Sequence, residues 1–371
     1  MMDFLDQITE QNKVKDQLQK IINSRRVPHA FIFAGIEGIG KFNTAIQFAK
    51  SINSKSIPNF DETFIHRIDE LQEPYIKLIM PLPRGKNETT EDSGTDKLSK
   101  EVMEEIKSEL DSKIKNPFHK IFIENANTIK ISSIREIKKF ISFSSDEHIY
   151  KFVIILDAEY MNDQAQNALL KSLEEPPNGI VFILITSKKE NLLPTIVSRC
   201  REIVFEPLPR NSVEEILSSK FNIEKSLAKK VSYFSNGSLT QSVQLINYDF
   251  ENIQQKTISI LRYSFAKKYQ MALNELTEFS KNHTEESLLF LIKMIKIWLN
   301  DVLKNRKSLG GFAFEEASET IEKFNAKYSK VELNSLFRNL DFLESIYDRN
   351  INLNVLFLNV IFEIASVVKR N

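Results

Sequence analysis

Apolar residues follow two rhythms along this chain, and the rhythm changes near residue 207. Before that point, short unbroken apolar runs alternate with amphipathic stretches. The runs at 29–34, 151–156 and 180–186 predict strands buried on both faces. Helical spacing predicts helices at 4–22, 43–52, 99–115, 131–141 and 162–175. Asn162 stands where a helix N-cap is needed, and Pro176-Pro177 stops that helix. Strands alternating with helices predict a doubly wound α/β domain with a parallel sheet. After Pro207-Leu208-Pro209 only helical periods remain: short helices over 213–246, then longer ones from 253 to a last helix at 355–368. Domain boundaries are expected near 207 and near 250.

The stretch between the first helices is less regular. Met80-Pro81-Leu82-Pro83-Arg84-Gly85 is a turn-rich break, and 86–96 is polar, charged and expected to be mobile. The helix at 99–115 has a narrow apolar face, so the region reads as a charged surface insertion over about 84–116.

Lys+Arg and Asp+Glu both number 50, which argues against a protein whose main affinity is for a polyanion such as duplex DNA. Hydrophobic content of 42% is enough for packed cores. Cys200 is the single cysteine, so neither an internal disulfide nor a cysteine-based zinc site can be built. The first residues lack a basic start followed by an apolar run, and charges interrupt the most apolar stretch at 288–302. These features predict no signal peptide, no membrane span and a cytoplasmic location.

Candidate chemistry begins at Gly35-Ile36-Glu37-Gly38-Ile39-Gly40-Lys41-Phe42. It has the spacing of a phosphate-binding loop between a strand and a helix. The glycines of such a loop turn backbone N–H groups toward phosphate oxygens, the lysine reaches the terminal phosphates, and a final hydroxyl ligates Mg²⁺. Here Phe42 replaces the hydroxyl, and phenylalanine offers a metal nothing. Phe152-Val153-Ile154-Ile155-Leu156-Asp157 has the pattern of a strand carrying the magnesium-ordering acid. The next position, where a water-polarising Glu is usual, is Ala158. Glu159 follows, and one position on along the chain its side chain points elsewhere. A core strand ending in a helix-capping Asp is the plainer alternative.

Asn167-Ala168-Leu169-Leu170-Lys171-Ser172-Leu173-Glu174-Glu175-Pro176-Pro177, followed by Ile196-Val197-Ser198-Arg199-Cys200, resembles the clamp-loader branch of the AAA+ ATPases. Arg25-Arg26-Val27-Pro28-His29-Ala30 and Asp157-Ala158-Glu159-Tyr160-Met161-Asn162 resemble it too. Within that branch the chain is most similar to the delta prime subunits of bacterial DNA polymerase III. The resemblance is dense over about the first 205 residues and thin beyond, where Trp298-Leu299-Asn300-Asp301-Val302-Leu303 and 354–361 look like the collar.

The resemblance implies a RecA-like AAA+ domain at 1–207, a small helical lid at 208–250 and an all-α collar for oligomerisation at 251–371. It implies a stator, with ATP hydrolysed at neighbouring subunits. The sensor-1 position falls at Thr186 or Ser187. The sensor-2 position, an arginine in a motor subunit, holds Thr240. Gly35, Gly38, Gly40, Lys41, Asp157 and Thr186 would then form a vestigial nucleotide site with weak ATP or ADP binding and no required cofactor. Ser198 and Arg199 would present an arginine finger in trans. The implied partners are the gamma/tau motor and delta subunits, with the sliding clamp reached indirectly and primer-template DNA through the assembled complex. The four zinc-holding cysteines of many relatives are missing, so no zinc is expected. An active AAA+ motor subunit is the alternative, but it needs a hydroxyl at 42 and an acid at 158. A P-loop enzyme acting on a small substrate would need further pocket groups, and none is evident. For Arg199 the plainer alternative is a structural ion pair with a nearby acid such as Glu202. His29 reads as structural, Trp298 as core or collar interface, and Cys200 as a packing residue.

Overall fold

The computed structural model describes residues 4–57, 60–72, 74–89, 92–142, 149–282, 285–346 and 352–368. The chain divides into two compact units. The first is Met1–Ser212 with Gly237–Thr240; the second is Val213–Asn236 with Gln241–Asn371.

The first unit is built on a parallel sheet of β1 (Ala30–Ala34), β2 (Ile76–Ile79), β3 (Lys151–Ile155), β4 (Ile180–Thr186) and β5 (Arg201–Val204), in the order β2-β3-β4-β1-β5. Strands β1, β3 and β4 are buried along their whole length. That is why, apart from Lys151 at the start of β3 and Thr186 at the end of β4, their sequences run apolar without alternation. The two strands at the sheet edges escaped the sequence reading. Ile76-Lys77-Leu78-Ile79 and Arg201-Glu202-Ile203-Val204 are four residues each and only partly buried, so neither carries an apolar run.

Helices α1 (Asn12–Ser24), α2 (Lys41–Ser56), α3 (Glu62–Asp69), α4 (Lys100–Lys115), α5 (Ile131–Ser142), α6 (Asp163–Glu174) and α7 (Pro194–Val197) complete this unit. Asn162 caps α6 by accepting from Ala165 N at 2.9 Å, and Ser99 caps α4 through Val102 N. The single helix expected at 4–22 is broken. A 3₁₀ turn at Phe4–Gln7 precedes α1, and Glu10 and Gln11 between them are left-handed, with φ 53° and 57°. The Gln11 amide explains the break. It donates to Glu206 O at 2.7 Å and accepts from Glu206 N at 3.2 Å, a tertiary contact that outweighs helix continuity.

The charged insertion is anchored where it is described, contrary to the expected mobility. Glu88 and Lys130 form a buried ion pair at 2.7 Å. Gly94 N donates to Glu136 Oε1 at 2.8 Å, and Lys130 also donates to Gly94 O at 3.1 Å. Residues 90 and 91 of that stretch lie outside the described residues.

The second unit is helical throughout its described residues. It takes most of α8 (Arg210–Lys220), then α9 (Lys225–Ser232), most of α10 (Leu239–Asn247), α11 (Phe250–Phe265), α12 (Tyr269–Asn282), α13 (Glu285–Arg306), α14 (Ser318–Lys327), α15 (Asn334–Ser345) and α16 (Leu353–Val367). Trp298 is buried and packs edge-on against Phe324 at 5.3 Å, with Phe265 at 4.6 Å from Phe324. Trp298 is therefore a core residue. Phe234 meets both Phe250 and Phe314 at 5.0 Å, so aromatic packing runs across residue 250. No helix among the described residues is long and apolar enough to cross a membrane.

Candidate functional site

The loop after β1 adopts a shape that its glycines permit. Gly38 and Gly40 lie at φ 77° and 95°, a region that side chains disfavour. Gly38 also sits where a Cβ would stand 2.6 Å from Thr240 N. Gly35 N donates to Thr186 O at 3.2 Å, tying the loop to the end of β4. The sixteen residues of α2 begin at Lys41, so a helix N-terminus faces the loop, as anion binding requires.

Lys41 is buried and turned back on its own loop. Its Nζ donates to Ile36 O at 2.6 Å and to Gly35 O. Burial pulls the ammonium down to about 8, against the opposing charges of Glu159, Asp157 and Glu37. Phe42 is buried as well. Asp157, at φ 49°, keeps an exposed surface at the cleft, but crowding by surrounding atoms pushes its carboxyl up to about 6. Glu159 and Glu37 add to that rise, while Lys113 and Lys41 oppose it. Ala158 is fully buried. Glu159 accepts from Ser187 N at 2.9 Å, and its charge is the foremost of those favouring the Lys41 ammonium, contrary to the expectation that its side chain points elsewhere. Thr186 is buried, with its hydroxyl accepting from Lys188 N at 3.1 Å. Thr240 is buried too, and donates to Phe118 O at 2.6 Å.

These residues share one cleft. Gly38, Gly40, Lys41, Phe42, Asp157 and Thr240 line it together with Lys113 and Lys120. Gly35 and Thr186 brace the loop from behind. The two additional lysines were not anticipated from the sequence. Lys113 lies in the last turn of the insertion helix α4. Its ammonium donates to His119 O at 2.6 Å and lies 5.2 Å from the centre of the Phe42 ring, within cation–π reach. Lys120 faces Glu37 at 3.8 Å. No periodicity in the sequence marks either lysine. The arrangement does not fit a magnesium ion: the hydroxyl ligand is replaced by a ring, and a cation already covers that ring. Among the described residues, no group of three or more His, Cys, Asp or Glu could hold a metal ion.

Arg199 and Ser198 do not line this cleft. Arg199 is exposed after α7, where Nη1 donates to Thr195 O at 3.0 Å and Nη2 to Glu174 Oε1 at 2.8 Å. Ser198 Oγ donates to Thr195 O at 3.1 Å. Cys200 packs against the buried cluster beneath the sheet, and burial pushes its thiol up to about 12. His29 Nε2 is buried without a hydrogen-bond partner.

A parallel sheet with a glycine loop and helix after its first strand defines a P-loop α/β protein. Residues 10–209 match the family model described as "DNA polymerase III, delta subunit". The chain belongs to that family, a clamp-loader family of AAA+ proteins. It is 26% identical to the DNA polymerase III subunit delta' of Bacillus subtilis, over 70% of this chain and 68% of that relative. It is 23% identical to the tau subunit of the same organism, over 65% of this chain and 37% of the tau subunit. A solved Thermotoga maritima protein described as DNA polymerase III gamma subunit-related covers 95% of this chain and 99% of its own, at 17% identity and a TM-score of 0.44.

Proposed function

We propose that this chain is a delta-prime-type stator of a DNA polymerase III clamp loader, one that hydrolyses no ATP itself and lends Arg199 to a neighbouring ATPase. The observation that carries the reading is the buried Phe42 ring, covered by the Lys113 ammonium at the position where a working loop ligates Mg²⁺. Ala158 and Thr240 agree with it. Each occupies a place where hydrolysis needs a charged group, and each is buried in a packing or hydrogen-bonding role.

In this reading ATP hydrolysis belongs to gamma/tau motor subunits. Nucleotide binding by the present chain, if any, is weak and nearly independent of Mg²⁺, and neither nucleotide nor zinc is required. Residues 251–371 hold it to the motor and delta subunits. The sliding clamp and primer-template DNA are met through the assembled complex. Similarity to both delta' and tau subunits keeps an active motor as the competing reading.

The deciding experiment measures ATP hydrolysis by the isolated chain with Mg²⁺, then clamp loading by the complex reconstituted with motor and delta subunits. The stator reading expects no turnover alone and loss of loading when the chain is omitted. Turnover by the isolated chain that Lys41→Ala abolishes would establish the motor instead.

A further inference from the structure

Phe42 and Lys113 together depart from the chemistry of a metal-using loop. Mg²⁺ at such a loop neutralises phosphate oxygens and is held by the hydroxyl at the position of Phe42. Here the side chain that removes the ligand also seats a positive charge. The Lys113 ammonium lies 5.2 Å from the Phe42 ring centre.

An ammonium carries three donors. One of those of Lys113 goes to His119 O at 2.6 Å, which fixes the head group at the cleft wall. Thr240 holds the following turn by donating to Phe118 O at 2.6 Å. Both anchors lie in the first unit, and both aim the end of α4 at the loop. Three lysines, Lys41, Lys113 and Lys120, line the cleft with two carboxylates, Glu37 and Asp157, and the charge of Glu159 also reaches Lys41 and Asp157. The N-terminus of α2 adds the partial positive charge of its free N–H groups. Burial holds Lys113 down to about 8, with Asp157 and Glu37 opposing, so at neutral pH it still meets an incoming anion as an ammonium.

We propose that this cleft is a metal-free polyphosphate site, in which the Lys113 ammonium takes the place of Mg²⁺ and Lys41 leaves its loop carbonyls to share the anion. The ligand class is a nucleoside di- or triphosphate bound through its phosphates. The proposal rests on the stator reading but makes a separate claim. A stator could equally have a cleft that binds nothing.

The test uses the full chain and two probes: a fluorescent ATP analogue and inorganic tripolyphosphate. Binding is titrated in EDTA and in Mg²⁺. Wild type is expected to bind both probes in EDTA at least as well as in Mg²⁺. Lys113→Met should weaken binding by about tenfold or more, the worth of one charge-assisted hydrogen bond. Lys113→Arg, which keeps a charged donor, should bind within about threefold of wild type. Thermal melting of each variant separates lost binding from lost fold. In the double variant Phe42→Thr with Lys113→Met, affinity should become Mg²⁺-dependent. No saturable binding by wild type, a requirement for Mg²⁺, or a folded Lys113→Met protein that binds like wild type would each overturn the proposal. None of these results would touch clamp loading by the reconstituted complex. Magnesium-dependent turnover by the isolated chain would instead sink the stator reading.

Discussion

Arg199 Nη2 donates to Glu174 Oε1 at 2.8 Å, and this contact joins the Ser198-Arg199-Cys200 triplet to the Leu173-Glu174-Glu175-Pro176-Pro177 stretch. Glu202, the acid expected to compete for the arginine, is taken instead by Lys189 at 2.7 Å. The Arg199 and Glu174 side chains are 36% and 49% exposed, so the pair is a surface ion pair. Such pairs are worth roughly 0–1 kcal/mol and exchange readily with other partners. Glu174 therefore orients the guanidinium without locking it away.

The first prediction concerns this pair. Arg199→Ala should cost the isolated chain less than about 1 kcal/mol in urea unfolding. In the reconstituted complex it should lower ATP hydrolysis and clamp loading, because a guanidinium presents a planar set of donors to a phosphoryl-transfer transition state. A finger is worth roughly 10³–10⁵ in rate at its own site, and the loss in total turnover is smaller where other sites continue. Glu174→Gln should leave loading near wild type. Wild-type loading rates for Arg199→Ala across ATP concentrations would reduce Arg199 to a structural residue.

The insertion supplies the second. Lys130 and Glu88 are 11% and 8% exposed, and Glu88 also accepts from Gly85 N at 2.7 Å. Lys130→Met strands a buried carboxylate and should cost about 3–5 kcal/mol. Adding Glu88→Gln removes that charge while keeping an acceptor for Gly85. The double variant should recover most of the loss. Unfolding midpoints of the four proteins in the cycle measure the coupling, and additive effects would show that the pair does not anchor the insertion.

Cys200 gives a pH prediction. Its thiol is pushed from 9.0 to about 12 by burial, so the folded chain holds the proton where an unfolded chain releases it. Between pH 9 and 12 the unfolded state binds fewer protons, and this group's contribution to stability falls as pH rises. At pH 8 the native thiol should react with a thiol reagent on the order of 10²–10³ times more slowly than in denaturant, where the thiolate fraction is normal. Equal rates in both conditions would contradict the burial.

Gly38→Ala tests the loop. At φ 77° an L-residue is strained by about 1–2 kcal/mol. Its Cβ would also stand 2.6 Å from Thr240 N, a backbone atom that cannot swing aside. The variant should lower the melting temperature and release the turn that carries Thr240. A wild-type melting curve would mean that the loop adapts freely.

The central strands and several helices were legible because their causes are local. A strand buried on both faces runs apolar with little alternation, as 152–155 and 180–185 do. A helix needs its cap beside it, as Asn162 stands beside α6. The glycine loop and the missing hydroxyl at Phe42 were legible for the same reason: each is a property of adjacent residues. Edge strands carry weaker local signals, since half of each faces away from the core. So β2 and β5 went unread.

By itself, then, the sequence determined the α/β class, the family, and the loss of the metal ligand at Phe42. The tertiary structure alone decided what stands in the vacated place. It brings Lys113 over Phe42, Thr240 onto Phe118 O, Gln11 onto Glu206, and Arg199 onto Glu174. Each of these pairs joins residues far apart in the chain. No periodicity or spacing encodes such a meeting, because it depends on how whole elements pack and on which buried charges must find a partner.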